Sequence, residues 1–390
     1  MSQASSVYSL GVAEFADGRR TILVRRDDRT VDLGDYIANS LQSVPEEVQD
    51  SLRAKSLDTL LAAGPEAWAR AEKVALAALT DAATVKEPES FRLVRPFTVA
   101  DYVDFYASRE HAQNVGRIFR PTSPDLPAAW FALPIGYHGR SSSVVVSGTP
   151  VRRPAGLTRH GQNISFGPSL KLDLEAEVGF VVGTPSQLSE PVNIDDFESH
   201  VFGVCLVNDW SARDIQAFEY VPLGPFLGKS FATTISPWIT PLSQLQGTRI
   251  EAQSAGDPNL DKYLRSSEPW GLDLELEVVI NGEVVSRPPY SHMHWSPAQM
   301  LAHTTVNGAP LSTGDFFASG TVSGPDLTTV GSLLELTKDG TEPLSTKRGA
   351  LGYLEDGDTV VVRGRAKFAD GSTAELGSAE GTVYPTAHTH

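Results

Sequence analysis

The alternation of apolar and polar residues predicts β-hairpins in both the N-terminal and the C-terminal parts of the chain. Residues 12–15 and 21–25 alternate on either side of Asp17-Gly18, a residue pair that favours tight hairpin turns. Residues 272–280 alternate in the same way and run directly into Asn281-Gly282, which has the same preference. Three Asp-Gly pairs predict further hairpins in the C-terminal part: Asp339-Gly340, Asp356-Gly357 and Asp370-Gly371.

Helical spacing dominates residues 34–80, where alanine, leucine and glutamate recur three and four positions apart. Pro45 and Pro65 occupy positions typical of a first helical turn, and Gly64 is placed to end a helix. We therefore expect a small β unit followed by helices, which together form an N-terminal domain over residues 1–96.

Residues 201–207 are continuously apolar and predict a buried strand, and polar residues follow immediately. If the chain is helical from position 209 onward, four different polar side chains share one helix face: Asp209, Arg213, Gln216 and Tyr220. A polar helix face is most often only a solvated surface. Here the face mixes a carboxylate, a guanidinium, an amide and a phenol beside a buried strand, so we interpret it as one wall of an active site.

Composition supports a β-rich interpretation. The chain has 33 glycines and 26 prolines, which favour a turn-rich architecture. Its 390 residues suffice for one large domain or two of ordinary size. Together with the periodicities, this predicts a mostly β protein of the α+β class, with a mixed β catalytic domain over residues 97–390.

The charge balance and the single cysteine exclude several functions. With 32 basic and 48 acidic residues the net charge is −16, so no basic field is available to hold nucleic-acid phosphates. No apolar run approaches the ~18 residues of a membrane span, and no signal-peptide pattern is visible. Cys205, within the apolar run, is the single cysteine of the sequence, which excludes a disulfide within the chain and favours a reducing, cytoplasmic location.

Closely spaced carboxylates indicate a metal site. Glu175 and Glu177 lie on one face of a strand predicted over residues 170–182, about 7 Å apart by strand rise. Like charges this close repel unless a cation lies between them, and calcium or magnesium with one or two more carboxylates is the usual solution. Asp104 and Asp209 are the obvious further ligands.

Other residues compete for the same chemistry. Glu275 and Glu277 repeat the acidic pattern almost unchanged, so spacing alone favours neither pair over the other. Three histidines are candidates for a zinc site: His292, His294 and His303. A zinc site would need a third partner for the His292/His294 pair and an open position, so histidines on the protein surface are the more frequent interpretation.

Two familiar catalytic motifs are excluded. Residues 224–230 resemble a phosphate-binding loop, but three residues separate the glycines instead of four, and Pro225 removes an amide donor. We interpret Lys229 as an ammonium group offered to a substrate oxygen. The Gly-x-Ser-x-Gly turn of serine hydrolases is also missing from the sequence.

A hydrolase without a side-chain nucleophile must activate water, and His111 is the best general base in the chain. It lies near Asp104 and follows Ser108, which can cap a helix. Histidine side chains exchange protons near neutral pH, and a carboxylate such as Glu335 would be needed to orient the ring. Because a single histidine is more often structural, spacing alone leaves this role open.

Several long motifs follow one another along the chain. They are Asp104-Phe-Tyr106 with His111, Tyr137-His-Gly-Arg140, Glu175-x-Glu177, Asn208-Asp209-Trp-Ser-Ala-Arg213-Asp-Ile-Gln216, Glu219-Tyr220-Val-Pro-Leu-Gly-Pro-Phe-Leu-Gly-Lys229-Ser and Ser319-Gly320-Thr321. In this order they resemble the fumarylacetoacetate hydrolase family, most closely over residues 97–235 and 300–336. Ala232 in place of glycine and Val322 in place of proline are small departures from the family pattern.

The resemblance implies an N-terminal SH3-like barrel, a C-terminal mixed β-roll and a homodimer. It also implies a carbon–carbon bond hydrolase whose small-molecule substrate is a β-diketone acid, 4-fumarylacetoacetate. The products would be fumarate and acetoacetate, in the last step of tyrosine and phenylalanine degradation. The expected cofactor is Ca²⁺ or Mg²⁺, with a possible second Mg²⁺.

Matching positions imply roles for individual residues. The calcium ligands would be Asp104, Glu175, Glu177 and Asp209, so that Glu275 and Glu277 revert to an ordinary strand. His111 matches the general base, with Glu335 as its partner. The groups that stabilise the leaving carbanion would be Arg213, Gln216 and Lys229. Substrate contacts would come from Tyr106, Arg120, Tyr137, Gln216, Tyr220 and Thr321. The second magnesium would use Asp209, Lys229 and Thr233.

Two alternatives stay open. A relative that acts on acylpyruvates would share the carboxylates and the Gly-Thr loop, but such relatives generally lack a domain like residues 1–96. A non-catalytic calcium-binding module would need only Glu175, Glu177 and Asp209, but it leaves His111 unexplained.

Overall fold

The computed structural model describes residues 7–39, 44–81, 90–123 and 125–387. Its N-terminal part contains β1 (Ser9–Phe15), β2 (Arg20–Arg26), β3 (Arg29–Asp32), α1 (Leu33–Asn39), α2 (Glu46–Leu52), α3 (Asp58–Ala62), α4 (Gly64–Thr80) and β4 (Phe91–Val94). The strands form an antiparallel sheet in the order β3-β2-β1-β4, and β1 and β2 form the hairpin predicted at Asp17-Gly18. The small β unit with helices is therefore confirmed.

The middle of the chain carries most of the site candidates. Its elements are β5 (Tyr102–Phe105), α5 (Arg109–Phe119), α6 (Ala128–Ala132), β6 (Gly136–His138), β7 (Val144–Val146), β8 (Val151–Arg152), β9 (Ala155–His160), β10 (Asn163–Pro168), β11 (Leu172–Asp173), β12 (Ala176–Val182), α7 (Phe197–His200), β13 (Val201–Asp209), β14 (Ser211–Ala212) and α8 (Arg213–Glu219). The predicted cap of α5 is present, because the Ser108 Oγ accepts the His111 backbone N–H at 3.2 Å.

The C-terminal part is again mostly strands. Its elements are β15 (Thr233–Ile235), β16 (Thr240–Pro241), β17 (Arg249–Glu251), β18 (Trp270–Leu272), β19 (Leu274–Ile280), β20 (Glu283–Ser286), α9 (Pro297–Thr305), β21 (Phe316–Ala318), α10 (Leu333–Leu336), β22 (Leu344–Thr346), β23 (Gly349–Leu351), β24 (Thr359–Lys367) and β25 (Thr373–Tyr384). Asn281-Gly282 joins β19 to β20 as predicted.

Two sheets pack face to face in this larger part of the molecule. One has eight strands in the order β6-β5-β21-β12-β13-β15-β7, with β16 also paired to β13. The other has five, in the order β20-β19-β24-β25-β8. Val178, Leu206 and Val362 belong to the hydrophobic core between them. The mostly β, α+β class is confirmed.

Strand β13 shows why residues 201–207 are continuously apolar. Val204 and Leu206 belong to the core shared with the five-stranded sheet, whereas Cys205 and Val207 belong to a second core shared with the N-terminal β unit. A strand covered on both faces needs apolar side chains on both. Burial also raises the pKa of the Cys205 thiol, which is therefore a core residue and not a nucleophile. Because this second core is continuous across residue 96, the domain boundary there stays a prediction.

The helix predicted from Asp209 is wrong at its start. Strand β13 continues through Asp209, and α8 begins only at Arg213. Asp209 stays extended because it pairs with Thr233 of β15, and its N–H donates to the Glu175 carbonyl at 3.0 Å.

Two other local predictions need correction. The strand predicted over residues 170–182 is interrupted, because Glu175 lies between β11 and β12 and pairs only through an isolated bridge to Ser332. Asp339-Gly340 follows α10 and Asp356-Gly357 precedes β24, so neither joins two paired strands; Asp370-Gly371 does join β24 to β25. None of the helices in the described residues has the length and apolar character needed to cross a bilayer.

Candidate active site

A cavity of about 390 Å³ contains most of the predicted site residues. Its lining includes Asp104, Tyr106, His111, Arg120, Tyr137, Glu175, Glu177, Arg213, Gln216, Tyr220, Lys229 and Thr321. The remaining candidates lie directly behind this lining: Asp209 contacts Lys229, Thr233 donates to Asp209, and Glu335 contacts His111. The structure therefore brings all of the predicted site residues together.

Four buried carboxylates form what we call the acidic cluster: Asp104, Glu175, Glu177 and Asp209. Each offers one oxygen, and these oxygens all lie within 4.8 Å of one another. Asp104 comes from β5, Glu177 from β12 and Asp209 from β13, which are strands of the same eight-stranded sheet. Strands β12 and β13 are neighbours and β21 alone separates β12 from β5, so the sheet brings side chains that are distant in sequence to one point.

The acidic cluster fits a divalent cation that prefers oxygen ligands. Among the described residues, Asp104 Oδ1 and both carboxylate oxygens of Glu177 have no hydrogen-bond partner. Burial, together with the neighbouring carboxylates, raises the pKa of Asp104 and of Glu177 well above the usual range. Buried, unpartnered carboxylate oxygens are ligands that Ca²⁺ and Mg²⁺ prefer, and a cation would remove the repulsion among them.

Lys229 neutralises part of the acidic cluster. Its Nζ contacts Glu175 and Asp209 and donates to the Ser211 Oγ at 2.9 Å. Burial alone would lower the pKa of Lys229, but Asp209 and Glu175 raise it above its usual range, so the ammonium group stays charged. An ammonium group has no lone pair, so a second Mg²⁺ beside Asp209 and Thr233, which remains a prediction, could use Lys229 only through its carbonyl oxygen.

Arg213 at the start of α8 is held by three partners. Its Nε contacts Asp173 at 2.8 Å, its Nη2 contacts Glu175 at 2.7 Å, and its Nη1 donates to the Gln216 Oε1 at 3.2 Å. Burial alone would raise the pKa of Glu175, but Arg213 and Lys229 reverse this and lower it well below its usual range. Glu175 is therefore an ionised carboxylate that joins both cations to the acidic cluster.

His111 forms a buried pair with Glu335. The ring Nδ1 lies 2.7 Å from the Glu335 Oε2, and Asn114 donates to the other carboxylate oxygen at 2.8 Å. Although burial favours the neutral acid, His111 and the hydrogen-bond donors lower the pKa of Glu335. An ionised Glu335 accepts a hydrogen bond from the ring, so Nδ1 carries the ring proton and the lone pair is on Nε2. The Nε2 atom lies 3.6 Å from the Glu175 Oε1.

The predicted substrate contacts surround these groups. The Tyr106 ring meets the His111 ring edge-on with centroids 5.5 Å apart, and the Tyr137 hydroxyl donates to Asp209 at 3.5 Å. The buried Thr321 Oγ1 has no hydrogen-bond partner among the described residues. Such a hydroxyl is free to bind a substrate oxygen.

Gly320, next to Thr321, has no room for a side chain. Its φ is +76°, and a Cβ would lie 2.1 Å from the Phe105 carbonyl oxygen. We expect Gly320→Ala to lower the free energy of unfolding by at least about 2 kcal/mol, because it combines backbone strain with a clash. Denaturant unfolding measures this. Gly167→Ala is the control, since no atom lies within 4 Å of a Cβ there; equal stability of the two variants would contradict the argument.

The competing candidates lie elsewhere. Glu275 and Glu277 on β19 form ion pairs with Lys367 at 2.7 Å and with Arg287 at 2.9 Å. Among the described residues, the side chains arranged so that they could hold a metal ion are those of the acidic cluster. This arrangement includes none of the three candidate histidines, His292, His294 and His303.

Sequence reasoning missed the residues that support the site. Asn114 and the hydroxyls of Ser323 and Ser332 bind Glu335, and Asp173 binds Arg213. Asn114 follows His111 by three positions on a predicted helix, so helical spacing could have identified it. Ser332 precedes Glu335 by three positions, a Ser-x-x-Glu spacing typical of a helix start, so it could also have been identified. No comparable local signal existed for Ser323, which lies 12 positions from Glu335.

Buried carboxylates, a histidine–glutamate pair and two cations around one cavity are typical of an enzyme active site. The family model described as "Fumarylacetoacetate (FAA) hydrolase C-terminal" matches residues 101–384. The Homo sapiens fumarylacetoacetase is 40% identical over 390 aligned residues, which cover 95% of this chain and 93% of the human protein. The fumarylacetoacetase of Oryza sativa subsp. japonica is 41% identical and covers 85% of this chain and 82% of that protein. The chain therefore belongs to the fumarylacetoacetate hydrolase family.

Solved structures agree on the fold. A fumarylacetoacetate hydrolase from Exiguobacterium antarcticum matches with a TM-score of 0.58 and 19% identity, covering 97% of this chain and 99% of that one. A 5-carboxymethyl-2-hydroxymuconate delta-isomerase from Mycobacterium smegmatis matches with a TM-score of 0.53 and 16% identity, covering 97% and 100%. At such identities the likeness establishes the fold alone.

Proposed function

We propose that this chain is a fumarylacetoacetase, which hydrolyses 4-fumarylacetoacetate to fumarate and acetoacetate in tyrosine and phenylalanine degradation. One observation carries the proposal: the His111–Glu335 pair, the Arg213 and Lys229 cations and the acidic cluster all meet at one cavity. Relatives of 40% and 41% identity carry that name. A purely structural calcium site would have no use for the histidine pair.

His111 is the general base in this proposal. Glu335 holds the Nδ1 proton, so the Nε2 lone pair can take a proton from a water molecule as its oxygen attacks a substrate carbonyl. Glu335 also stabilises the imidazolium that forms. Tyr106 packs against the ring and helps to fix its orientation.

The Arg213 and Lys229 side chains, together with the Gln216 amide, stabilise the leaving group in this proposal. Cleavage of the carbon–carbon bond expels the acetoacetate part as a carbanion with enolate character, and Arg213, Gln216 and Lys229 lie where they can bind its oxygens. Removing one such donor typically raises the barrier by on the order of 3 kcal/mol. A Ca²⁺ or Mg²⁺ ion held by the acidic cluster would supply Lewis-acid polarisation of a substrate carbonyl.

The direct test uses the purified chain with 4-fumarylacetoacetate and either metal. We expect the diketone absorbance band to disappear and fumarate and acetoacetate to form in equal amounts. An acylpyruvate is the comparison substrate. Faster hydrolysis of the acylpyruvate would assign the chain to the other branch of the family, and turnover of neither compound would contradict a hydrolase.

Arg120, at the end of α5, lines the cavity and is the proposed partner of a substrate carboxylate. Arg120→Lys keeps the charge but loses the two-pronged geometry, so we expect KM to rise about tenfold with kcat little changed. Steady-state kinetics measure both constants. The control is Arg287→Lys, because Arg287 pairs with Glu277 away from the cavity. A fall in kcat at unchanged KM would place Arg120 in the chemical step instead.

The assembly and location are also part of the proposal. The β9–β10 hairpin and the segment 221–227 expose apolar side chains, including Leu157, Ile164, Phe166, Leu223 and Phe226. Apolar surface of this kind supports the homodimer that the family resemblance implies. The lone, buried Cys205 supports a cytoplasmic location. Light scattering of the purified chain tests the dimer.

A further inference from the structure

Asp173 is a fully buried carboxylate that does not itself line the cavity but lies behind Arg213, which does. Its Oδ1 accepts the backbone N–H groups of Leu174 and Leu333, both at 2.7 Å. Its Oδ2 accepts the Arg213 Nε–H at 2.8 Å and the Leu334 backbone N–H at 3.1 Å. Each oxygen therefore faces two donors, and every donor is on a different residue.

Three of these four donors belong to the two halves of the proposed mechanism, and the fourth, Leu174, is the next residue in the chain. Leu333 and Leu334 are the first residues of α10, the short helix that carries Glu335 and through it orients His111. Arg213 is the cation that also reaches Glu175 and Gln216. One side chain thus links the water-activating pair to a group that stabilises the leaving carbanion.

We propose that Asp173 is a positioning residue that fixes the distance between the His111–Glu335 pair and the Arg213 guanidinium. This inference rests on the proposed function, because the two linked groups act together only during hydrolysis. Asp173 acts through Arg213 and α10 and does not touch the substrate. Displacement of a catalytic group by about 1 Å can cost on the order of 100-fold in rate, so such a link matters for kcat.

Asparagine is the informative replacement for Asp173. It has the same shape as aspartate, but one of its two oxygens is replaced by an NH₂ group, which cannot accept hydrogen bonds. In either orientation of the amide, this NH₂ group would face two N–H donors that a carboxylate oxygen binds in the wild type. We expect Asp173→Asn to lower kcat about 100-fold per folded molecule while KM changes less than about threefold. Loss of folded protein alone would also lower the apparent kcat at unchanged KM, so each rate is divided by the concentration of folded enzyme; a purely structural role would leave this corrected kcat at the wild-type value.

Double-mutant cycles separate positioning from general damage. If Asp173 acts through Arg213 and Glu335, adding Asp173→Asn to Arg213→Lys or to Glu335→Gln should slow the enzyme less than about threefold further. Independent structural damage would instead multiply the two losses. Multiplicative losses in both cycles would overturn the proposal.

The matched control is Asp358→Asn. Asp358 is also buried and also accepts a backbone N–H, from Glu355 at 2.8 Å, and a guanidinium N–H, from Arg348 at 3.1 Å, but, unlike Arg213, neither of these partners lines the cavity. We expect this variant to lose stability at unchanged kcat.

If Asp173→Asn does not fold, Asp173→Glu is the second variant. It keeps the charge while its extra methylene displaces Arg213, and the same loss of kcat is expected. Wild-type kcat per folded molecule in the testable variant would overturn the inference. Because all rates are ratios to the wild type, an inactive wild type would contradict the proposed function instead.

Discussion

His111→Ala is expected to lower kcat by about 10²–10⁴-fold, because it removes the side chain proposed to take the proton from the attacking water. The Nε2 atom that would do this lies beside Glu175, 3.6 Å from its Oε1, and Nδ1 is held by Glu335 at 2.7 Å. KM should change far less, since the ring contributes mainly in the transition state. Loss of diketone absorbance at saturating substrate measures kcat.

Two further variants make this result specific. Glu335→Gln keeps the shape of the carboxylate but not its charge, so its kcat should lie between those of the wild type and His111→Ala. His303→Ala is the control, because His303 is hydrogen-bonded to the Tyr263 hydroxyl at 2.9 Å and lies outside the cavity. If His111→Ala keeps wild-type kcat, water activation by His111 is wrong, whatever Glu335→Gln shows.

The acidic strands show what periodicity can and cannot predict. Alternation placed Glu175 with Glu177, and Glu275 with Glu277, each on one strand face, but it did not choose between the pairs. The choice depends on the sheet to which each strand belongs. Strand β12 lies between β21 and β13 with both faces covered, whereas β19 presents its glutamates to surface lysine and arginine side chains. Only the family resemblance indicated the pair that lies in the acidic cluster.

Asp209 shows how local spacing can mislead. Its separation from Arg213 and Gln216 matches a helix face, yet it belongs to a strand because its partner is Thr233 on β15. The sequence analysis predicted that Asp209, Arg213 and Gln216 lie together, which they do, but it assigned all three to one helix, whereas Asp209 ends strand β13. Strand pairing is decided by contacts that are distant in sequence, which a window of a few residues does not contain.

Asp173 lies within the strand predicted over residues 170–182, in the part that the structure separates as β11, and its contacts were not predictable. The donors at Leu333 and Leu334 lie 160 and 161 positions away in the sequence. Nothing in an alternating acidic strand distinguishes a carboxylate that binds a helix and an arginine from one that faces solvent. Backbone N–H groups carry no sequence signature, so residues that bind them are found only in the folded structure.

Glu177→Gln is the second substitution with a large expected effect. The change keeps the size of the side chain but removes one negative ligand from the acidic cluster, where neither Glu177 oxygen has a hydrogen-bond partner among the described residues. We expect kcat to fall at least about 100-fold, since a metal supplies several kcal/mol of charge stabilisation. Glu277→Gln is the matched control, because it removes the same charge from the competing acidic strand, where Glu277 pairs with Arg287.

A stability measurement separates loss of the metal from loss of chemistry. Metal at about 100 times its Kd stabilises a folded protein by about 2.7 kcal/mol, so Ca²⁺ or Mg²⁺ should raise the Tm of the wild type and of Glu277→Gln. Glu177→Gln should lose most of this rise. Without metal, however, it should be at least as stable as the wild type, because an amide carries no charge, whereas the Glu177 carboxylate must either take up a proton or repel its neighbours. A full metal-dependent rise in the Tm of Glu177→Gln would contradict the ligand role.

An unchanged kcat after exhaustive chelation of the wild type would contradict the metal requirement itself. The charge of the acidic cluster would then have to be balanced by Lys229 and Arg213 alone.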